Sequence, residues 1–175
     1  DGTLLKNFLD KKENILGFEP SKNVANQANS FGVPTVNEFF NTENVSKYKD
    51  FLGKTDAVFA SNCICHIPDL NNLIQGVDLL LSKNGTFIFE EPYLGSMFEK
   101  TSYDQIYDEH IFMFSISSIS KIFNLYDFKL VDVLPQITHG GSMRYVIKRK
   151  NTSNISQNLK NLLELEKTKK IDSIE

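Results

Sequence analysis

Tryptophan is absent from this sequence of 175 residues, cysteine occurs twice and histidine three times. The two cysteines, Cys63 and Cys65, lie too close together to close a useful disulfide loop, so we expect a reducing, cytoplasmic environment. No apolar run approaches the roughly 20 residues that span a bilayer, so we expect no membrane partner. A basic excess is missing too, because the net charge is −3. This balance argues against a nucleic-acid binder.

The first half of the sequence alternates between short apolar runs and helical patterns. Its hydrophobic content of 41% and charged content of 23% are those of an ordinary soluble domain. We predict strands at 14–19, 33–36, 56–61 and 86–90, with helices at 21–30, within 42–52 and at 69–81. Strands and helices in this rhythm predict a parallel sheet covered on both faces.

The second half breaks that rhythm. A predicted helix at 117–124 is followed by two strands, 129–134 and 143–149, joined only by a short loop. Such strands pair antiparallel, because a parallel return needs a crossover of a dozen residues or more. Beyond residue 150, the residues Ile155, Leu159, Leu162 and Leu163 form one apolar stripe of an amphipathic helix. We therefore predict an α/β domain over 1–150 and the start of another part over 151–175.

An acid at the end of the first predicted strand suggests a nucleoside site. Ligands of open α/β sheets bind at the carboxyl ends of the strands, and Glu19 there can accept hydrogen bonds from both hydroxyls of a ribose. NAD-binding folds use a similar acid, so Glu19 alone does not name the cofactor. Asp1 and Gly2 have the character of the end of a glycine-rich loop, where glycine lets the backbone approach a ligand. The first strand of the sheet would then precede residue 1.

The loop from Asn62 to His66 follows the central predicted strand and should face the same ligand. Its Cys-x-Cys-His sequence raises the question of a metal ion, but the sequence offers no second pair of ligands. We therefore expect no metal site. The loop is interpreted as a partly apolar wall for the ligand.

Two further segments carry candidate chemistry. Tyr107, Asp108, Glu109 and His110 concentrate titratable groups, and a histidine there could remove a proton next to a carbonyl. A plain surface loop with a helix cap remains the alternative. The second segment, His139-Gly-Gly-Ser142 with Arg144, either serves a hairpin turn or offers donors to a polar or phosphorylated substrate.

Five motifs in order resemble the sugar C-methyltransferases of deoxysugar biosynthesis. They are Gly-Phe-Glu-Pro-Ser at 17–21, the segment 62–69 with its His-Ile-Pro-Asp ending, Glu-Pro-Tyr at 91–93, Tyr-Asp-Glu-His at 107–110 and His-Gly-Gly-Ser at 139–142. The resemblance covers about 150 residues. Together with the sheet pattern, it predicts the Rossmann-like fold of class I S-adenosylmethionine (SAM)-dependent methyltransferases. It implies methylation of C3 of a TDP-4-keto-deoxysugar with SAM as cofactor, and a zinc ion only in an N-terminal part that this chain does not contain.

The resemblance also implies residue roles. His110 would remove the C3 proton, Glu109 would orient it or help manage the proton, and Tyr107 would assist at the developing enolate. The implied cofactor-binding residues are Asp1, Gly2, Glu19, Pro20, Asn62, Cys63 and His66. The implied substrate-binding residues are Tyr93, His139, Gly140, Gly141, Ser142 and Arg144. Asp108 departs from the family, whose members carry histidine there.

Three other functions stay open at this point. A methyltransferase acting on oxygen or nitrogen of a small molecule would share the cofactor site without needing a base for a carbon acid. A non-catalytic module that binds sugar nucleotides would keep the fold alone. A nicotinamide-dependent oxidoreductase fits less well, since the antiparallel hairpin replaces the further parallel units of that fold. The sequence does not indicate an oligomeric state.

Overall fold

Short strands and helices alternate through the first of two compact units, Asp1–Lys49 and Asp50–Glu175. The computed structural model describes residues 1–11, 13–151 and 154–171. In the first unit, a 3-10 helix (Leu5–Lys11) precedes β1 (Gly17–Phe18), α1 (Lys22–Ser30), β2 (Thr35–Val36) and α2 (Thr42–Val45). β1 and β2 pair in parallel, as predicted, but each is only two residues long. The predicted helix within 42–52 is reduced to the single turn of α2.

The second unit contains a four-stranded sheet of β3 (Thr55–Ser61), β4 (Leu81–Pro92), β5 (Phe128–Gln136) and β6 (Ser142–Arg149). The strand order is β3-β4-β6-β5. β3 and β4 are parallel, whereas β6 is antiparallel to both β4 and β5. The predicted antiparallel hairpin is therefore present, and its last strand inserts between β4 and β5.

Helices cover this sheet and link its strands. They are a 3-10 turn (Ile64–His66), α3 (Leu70–Leu80), α4 (Leu94–Lys100), a second 3-10 turn (Tyr103–Gln105), α5 (Ile116–Asn124), a third 3-10 turn (Thr138–Gly140) and α6 (Gln157–Thr168). Asp69 caps α3 as predicted, because its carboxylate accepts the backbone N–H of Asn72. Ser115 and Ser118 form a capping box at the start of α5. Among the described residues, no helix has the length and apolar character needed to cross a membrane.

One boundary differs from the sequence prediction. Leu81, predicted as the end of α3, begins β4 and pairs with Thr55, while Thr86 pairs with Ala57. The predicted turn at 83–85 is thus accommodated as an irregularity within β4, with Lys83 and Asn84 exposed. An extra loop of residues inside one strand is typical of a β-bulge.

The core of the second unit is aromatic. Phe87 and Phe89 of β4 are each 1% exposed and both lie near Phe123 of α5. Tyr145 of β6 stacks on Phe89 with a centroid distance of 4.9 Å. Offset aromatic pairs of this kind add to the stabilisation from buried area. This core fixes the carboxyl ends of β3 and β4, from which the site described below extends.

The amphipathic helix expected beyond residue 150 is α6, and it packs on β5 and α5 of the same unit. Leu159 of the predicted apolar stripe is 2% exposed. The domain boundary at residue 150 stays a prediction, and residues 152–153 and 172–175 of the segment beyond it lie outside the described part of the chain.

Candidate functional site

His110 lies in a segment after the turn Tyr103–Gln105, and its ring is held on both sides. Nδ1 lies 2.8 Å from the carbonyl oxygen of Gln105, and Nε2 lies 2.8 Å from the hydroxyl of Tyr107. A carbonyl can only accept, so Nδ1 carries a proton. In the neutral ring the lone pair then resides on Nε2, where the hydroxyl of Tyr107 donates to it. The structure thus presents His110 in the tautomer that a general base facing Tyr107 requires.

The side chain of Glu109 is exposed and makes no hydrogen bond with the described residues. Its expected role, to orient His110 or to help manage the proton, stays a prediction. The backbone carbonyl of Gln105 orients the ring of His110. The backbone carbonyl of Glu109 instead accepts Nδ1–H of His66 at 2.6 Å.

His66, expected at the cofactor, lies against His110, with ring centroids 4.9 Å apart. It belongs to the 3-10 turn after β3. This turn is tied to the catalytic candidate by backbone bonds as well, since the carbonyl of Cys65 accepts the N–H groups of Ile111 and Phe112. The loop after β3 and the segment around His110 therefore form one connected surface.

Glu91, at the carboxyl end of β4, anchors that loop from below. It is fully buried, and its Oε1 accepts the backbone N–H groups of Cys63 at 3.0 Å and Ile64 at 2.7 Å. Burial and this neighbouring carboxylate together raise the pKa of the Cys65 thiol well above its ordinary value. Without a bound ion, Cys65 is therefore a buried, protonated thiol near neutral pH, whereas Cys63 is exposed.

Three possible metal ligands converge at this surface. Cys65, His66 and His110 each bring one donor atom to within 4.8 Å of the other two. The sequence argument against a metal ion looked for a second pair of ligands elsewhere in the sequence, and the single histidine His110 did not meet that criterion. Cys63 takes no part in the cluster.

Asn62 offers a test of whether the loop suits the SAM cofactor of this fold. It directly follows β3 and has a left-handed backbone with φ of 49°. Its side-chain Oδ1 is buried without a hydrogen-bond partner among the described residues. A buried acceptor without a donor costs free energy, and SAM carries donors in its ammonium and adenine amino groups. The residues at this strand end therefore fit the cofactor.

The first unit holds the other cofactor candidates. Glu19 follows β1 and accepts the backbone N–H of Ser21 at 2.8 Å through Oε1. Its other oxygen makes no hydrogen bond with the described residues, so it remains available to a ribose. Gly2 has φ of 77°, and a Cβ there would meet Ala28 and Val33 at 3.1 and 3.2 Å, which explains the need for glycine. Asp1 caps this start by accepting N–H of Thr3, and Pro20 is exposed.

The glycine loop 139–142 divides into exposed and engaged residues. His139 and Gly140 are exposed, Gly141 is buried, and all three have positive φ. Ser142 is 1% exposed and its hydroxyl donates to the carbonyl of Thr138. The exposed residues remain suited to a substrate, whereas Ser142 closes the loop on itself.

Arg144 and Tyr93 are also engaged within the protein. Nε and Nη2 of Arg144 both donate to Oε2 of Glu90, at 3.2 and 2.8 Å. The hydroxyl of Tyr93 donates to Oε1 of Glu166 at 2.9 Å, and burial with this carboxylate raises the pKa of Tyr93. Direct substrate contact by either side chain stays a prediction.

Sequence reasoning missed Glu91, Gln105 and Glu166. No sequence pattern marks Gln105, which acts through its backbone carbonyl, or Glu166, whose partners are distant in sequence. A pattern does mark Glu91, because Glu90 and Glu91 close a strand whose preceding residues are apolar. A carboxylate buried there needs nearby hydrogen-bond donors.

Comparison with known proteins identifies methyltransferases as relatives of this chain. A family model described as a methyltransferase domain matches residues 1–133. The chain is 32% identical over 142 residues to the C-methyltransferase NovU of Streptomyces niveus. That match covers 81% of this chain and 34% of NovU, so the chain spans about a third of the relative's length.

Solved structures agree on the fold. A SAM-dependent methyltransferase from Anabaena variabilis aligns with a TM-score of 0.62 and 17% identity, covering 85% of this chain and 73% of the other. Magnesium protoporphyrin IX methyltransferase from Synechocystis, solved with bound SAH, aligns with a TM-score of 0.62 and 15% identity, covering 85% and 70%. These matches confirm the predicted class I methyltransferase fold.

Proposed function

The chain belongs to the methyltransferase-domain family, and we propose that it methylates C3 of a nucleotide-linked 4-keto-deoxysugar. The expected resemblance to the sugar C-methyltransferases is confirmed by the relative from Streptomyces niveus, a C-methyltransferase. SAM is the cofactor of this family, and when bound it supplies the electrophilic methyl group. The proposal adds the identity of the substrate, a nucleotide-linked keto-sugar, and of the methylated atom, C3.

A single observation supports carbon methylation above all. His110 has Nδ1–H fixed on a carbonyl and its Nε2 lone pair facing the hydroxyl of Tyr107. Carbon next to a ketone becomes nucleophilic only after a proton is removed, and a neutral histidine is suited to remove it near neutral pH. Methylation of oxygen or nitrogen does not require a base for a carbon acid.

The residues then act as follows. Nε2 of His110 takes the C3 proton, and the electron pair moves toward the C4 oxygen to form an enolate. The hydroxyl of Tyr107, 2.8 Å from Nε2, can turn to donate to that oxygen. His66 lies beside the base, and the exposed side chain of Glu109 is the carboxylate next to it in sequence that would help manage the proton.

Binding roles complete the proposal. In the first unit, Glu19 would bind the ribose of the cofactor, with Asp1, Gly2 and Pro20 as further cofactor-binding residues. In the second unit, Asn62 and Cys63 would bind the cofactor from the loop after β3. The substrate meets the loop His139–Gly141 near Tyr93, and the exposed residues of this loop are His139 and Gly140. Ser142 and Arg144 support this loop and strand through Thr138 and Glu90.

The first experiment follows both methylation and proton exchange. The protein is incubated with SAM and a TDP-4-keto-6-deoxyhexose in deuterated water, and mass spectrometry reads methyl transfer and deuterium at C3. We expect His110→Ala to lower kcat by about 10²- to 10⁴-fold and to abolish exchange, while SAM affinity is retained. Methyl transfer to a hydroxyl or amine that survives in His110→Ala would favour the oxygen- or nitrogen-directed alternative. SAM binding without any transfer would favour the non-catalytic module.

The hydroxyl of Tyr107 has its own test. Tyr107→Phe removes the donor to Nε2 and keeps the ring, so we expect kcat to fall about tenfold or more with SAM affinity unchanged. Tyr103→Phe is the matched control, since Tyr103 is 75% exposed in the preceding turn. Equal rates for the two variants would remove Tyr107 from the mechanism.

A further inference from the structure

The cluster of Cys65, His66 and His110 contains more donor atoms than the proposed methyl transfer needs. The mechanism above needs one base, whereas three metal-type donor atoms lie within 4.8 Å of one another. Two come from the turn after β3 and the third from the segment after α4. The backbone bond from N–H of Ile111 to the carbonyl of Cys65, 2.9 Å, holds these two segments together.

Both imidazoles are oriented in the way that metal-binding histidines are. Nδ1 of His66 donates to the carbonyl of Glu109 at 2.6 Å, and Nδ1 of His110 donates to the carbonyl of Gln105 at 2.8 Å. An outer hydrogen bond of this kind fixes the tautomer and leaves Nε2 as the ligand atom. Two histidines with the same arrangement, 4.9 Å apart by ring centroid, are a second observation beyond simple proximity.

The size of the cluster suits a small ion of intermediate softness. Zn²⁺ binds imidazole nitrogen at about 2.0 Å and thiolate sulfur at about 2.3 Å, so its ligands lie roughly 3.5 Å apart. The three donors would need to approach one another by about 1 Å. Cys65 is buried, while His66 and His110 are half-buried, so an ion enters from the histidine side. A water molecule would complete four-coordination there.

We infer that Cys65, His66 and His110 form a binding site for one Zn²⁺-like ion, which inhibits the protein by occupying Nε2 of His110. Entry of the ion displaces the hydroxyl of Tyr107, a residue that is 46% exposed. Sulfur and imidazole ligands select Zn²⁺ or Co²⁺ over Mg²⁺ and Ca²⁺, which prefer oxygen. Metal binding stands on this geometry alone, whereas the inhibition rests on the proposed function.

Cobalt titration tests metal binding separately from inhibition. Co²⁺ is titrated into the chain with its thiols reduced, and absorption spectroscopy follows the thiolate-to-cobalt charge-transfer band. We expect one ion per chain, loss of the band in Cys65→Ser, and at least tenfold weaker binding in His66→Gln. The matched control is Cys63→Ser, which removes the neighbouring cysteine outside the cluster and should keep the band. Circular dichroism verifies that each variant is folded.

The outcomes are distinct. A titration without the band, or a band that survives in Cys65→Ser or disappears in Cys63→Ser, overturns the site. Should Cys65→Ser fail to fold, His66→Gln tests the site in its place, because unchanged cobalt affinity in that variant also overturns it. These readouts do not use activity, so they hold whatever the substrate proves to be. With an active protein, Zn²⁺ should inhibit methylation and a chelator should restore it, and full activity with the site occupied would overturn the inhibition.

Discussion

At the scale of single residues, backbone carbonyls rather than carboxylates orient the two imidazole rings. The tautomer of His110 is set by the carbonyl of Gln105, and that of His66 by the carbonyl of Glu109. A carbonyl remains in place whatever side chain occupies the position. We therefore expect Gln105 and Glu109 to tolerate substitution better than Tyr107, whose contact uses a side-chain oxygen.

The two cysteines give a prediction at the same scale. Alkylation requires the thiolate, and burial and Glu91 raise the pKa of Cys65, so less thiolate forms at any given pH. At pH 8 we expect iodoacetamide to modify the exposed Cys63 at least about tenfold faster than Cys65. The Cys65 rate should rise with pH. Mass spectrometry of the labelled peptides measures both rates in one sample, and equal labelling at pH 8 would contradict the environment described for Cys65.

At the scale of elements, the loop after β3 depends on one buried carboxylate of β4. Glu91 satisfies two consecutive N–H groups of that loop. The loop in turn carries Asn62, with its left-handed backbone, and holds the segment of His110 through Cys65. The proposed cofactor wall and the proposed base are therefore both connected to the end of a single strand.

Removing that anchor should loosen the loop and destabilise the fold. Glu91→Ala leaves the buried N–H of Ile64 and the part-buried N–H of Cys63 without this acceptor, which costs about 2–4 kcal/mol of unfolding free energy. Glu99→Ala is the control, since Glu99 forms an exposed ion pair with Lys169 worth about 1 kcal/mol or less. Urea denaturation measures both, and hydrogen exchange at Cys63 and Ile64 should accelerate only in Glu91→Ala. Unchanged exchange at those two amides would show that the loop keeps its conformation without Glu91.

Local sequence patterns correctly predicted the elements whose formation depends on residues close together in sequence. Apolar spacing predicted α3 and the Asp69 cap, and the short connection predicted that β5 and β6 pair antiparallel. The end of α3 was misplaced because Leu81 suits either a helix or a strand, and its pairing with Thr55 decided the matter. The meeting of His66 with His110 depends on tertiary contacts between segments far apart in sequence, and no local pattern specifies it.

At the scale of the whole molecule, α6 completes the second unit. Glu166 is 1% exposed, and its carboxylate accepts the hydroxyl of Tyr93 and the N–H groups of Ile116 and Ser117, at 2.9, 2.6 and 2.9 Å. The side chain of α6 thus caps the start of α5, whose N–H groups would otherwise lack acceptors. It also fixes Tyr93, whose N–H donates to the carbonyl of Gly141 in the glycine loop.

Glu166 should therefore matter more to stability than its polar character suggests. Glu166→Ala removes an acceptor shared by three donors, and we expect the free energy of unfolding to fall by about 3–5 kcal/mol. Glu164→Ala, on the exposed side of the same helix, should change it by less than about 0.5 kcal/mol. Chemical denaturation compares the two variants, and a similar small loss in both would mean that α6 is dispensable. If α6 holds Tyr93 as described, a stable Glu166→Gln variant should also raise the substrate KM while leaving SAM affinity unchanged, because the amide keeps only one of the two acceptor oxygens that Tyr93, Ile116 and Ser117 share. An unaltered KM would separate α6 from the substrate loop and leave it a role in stability alone.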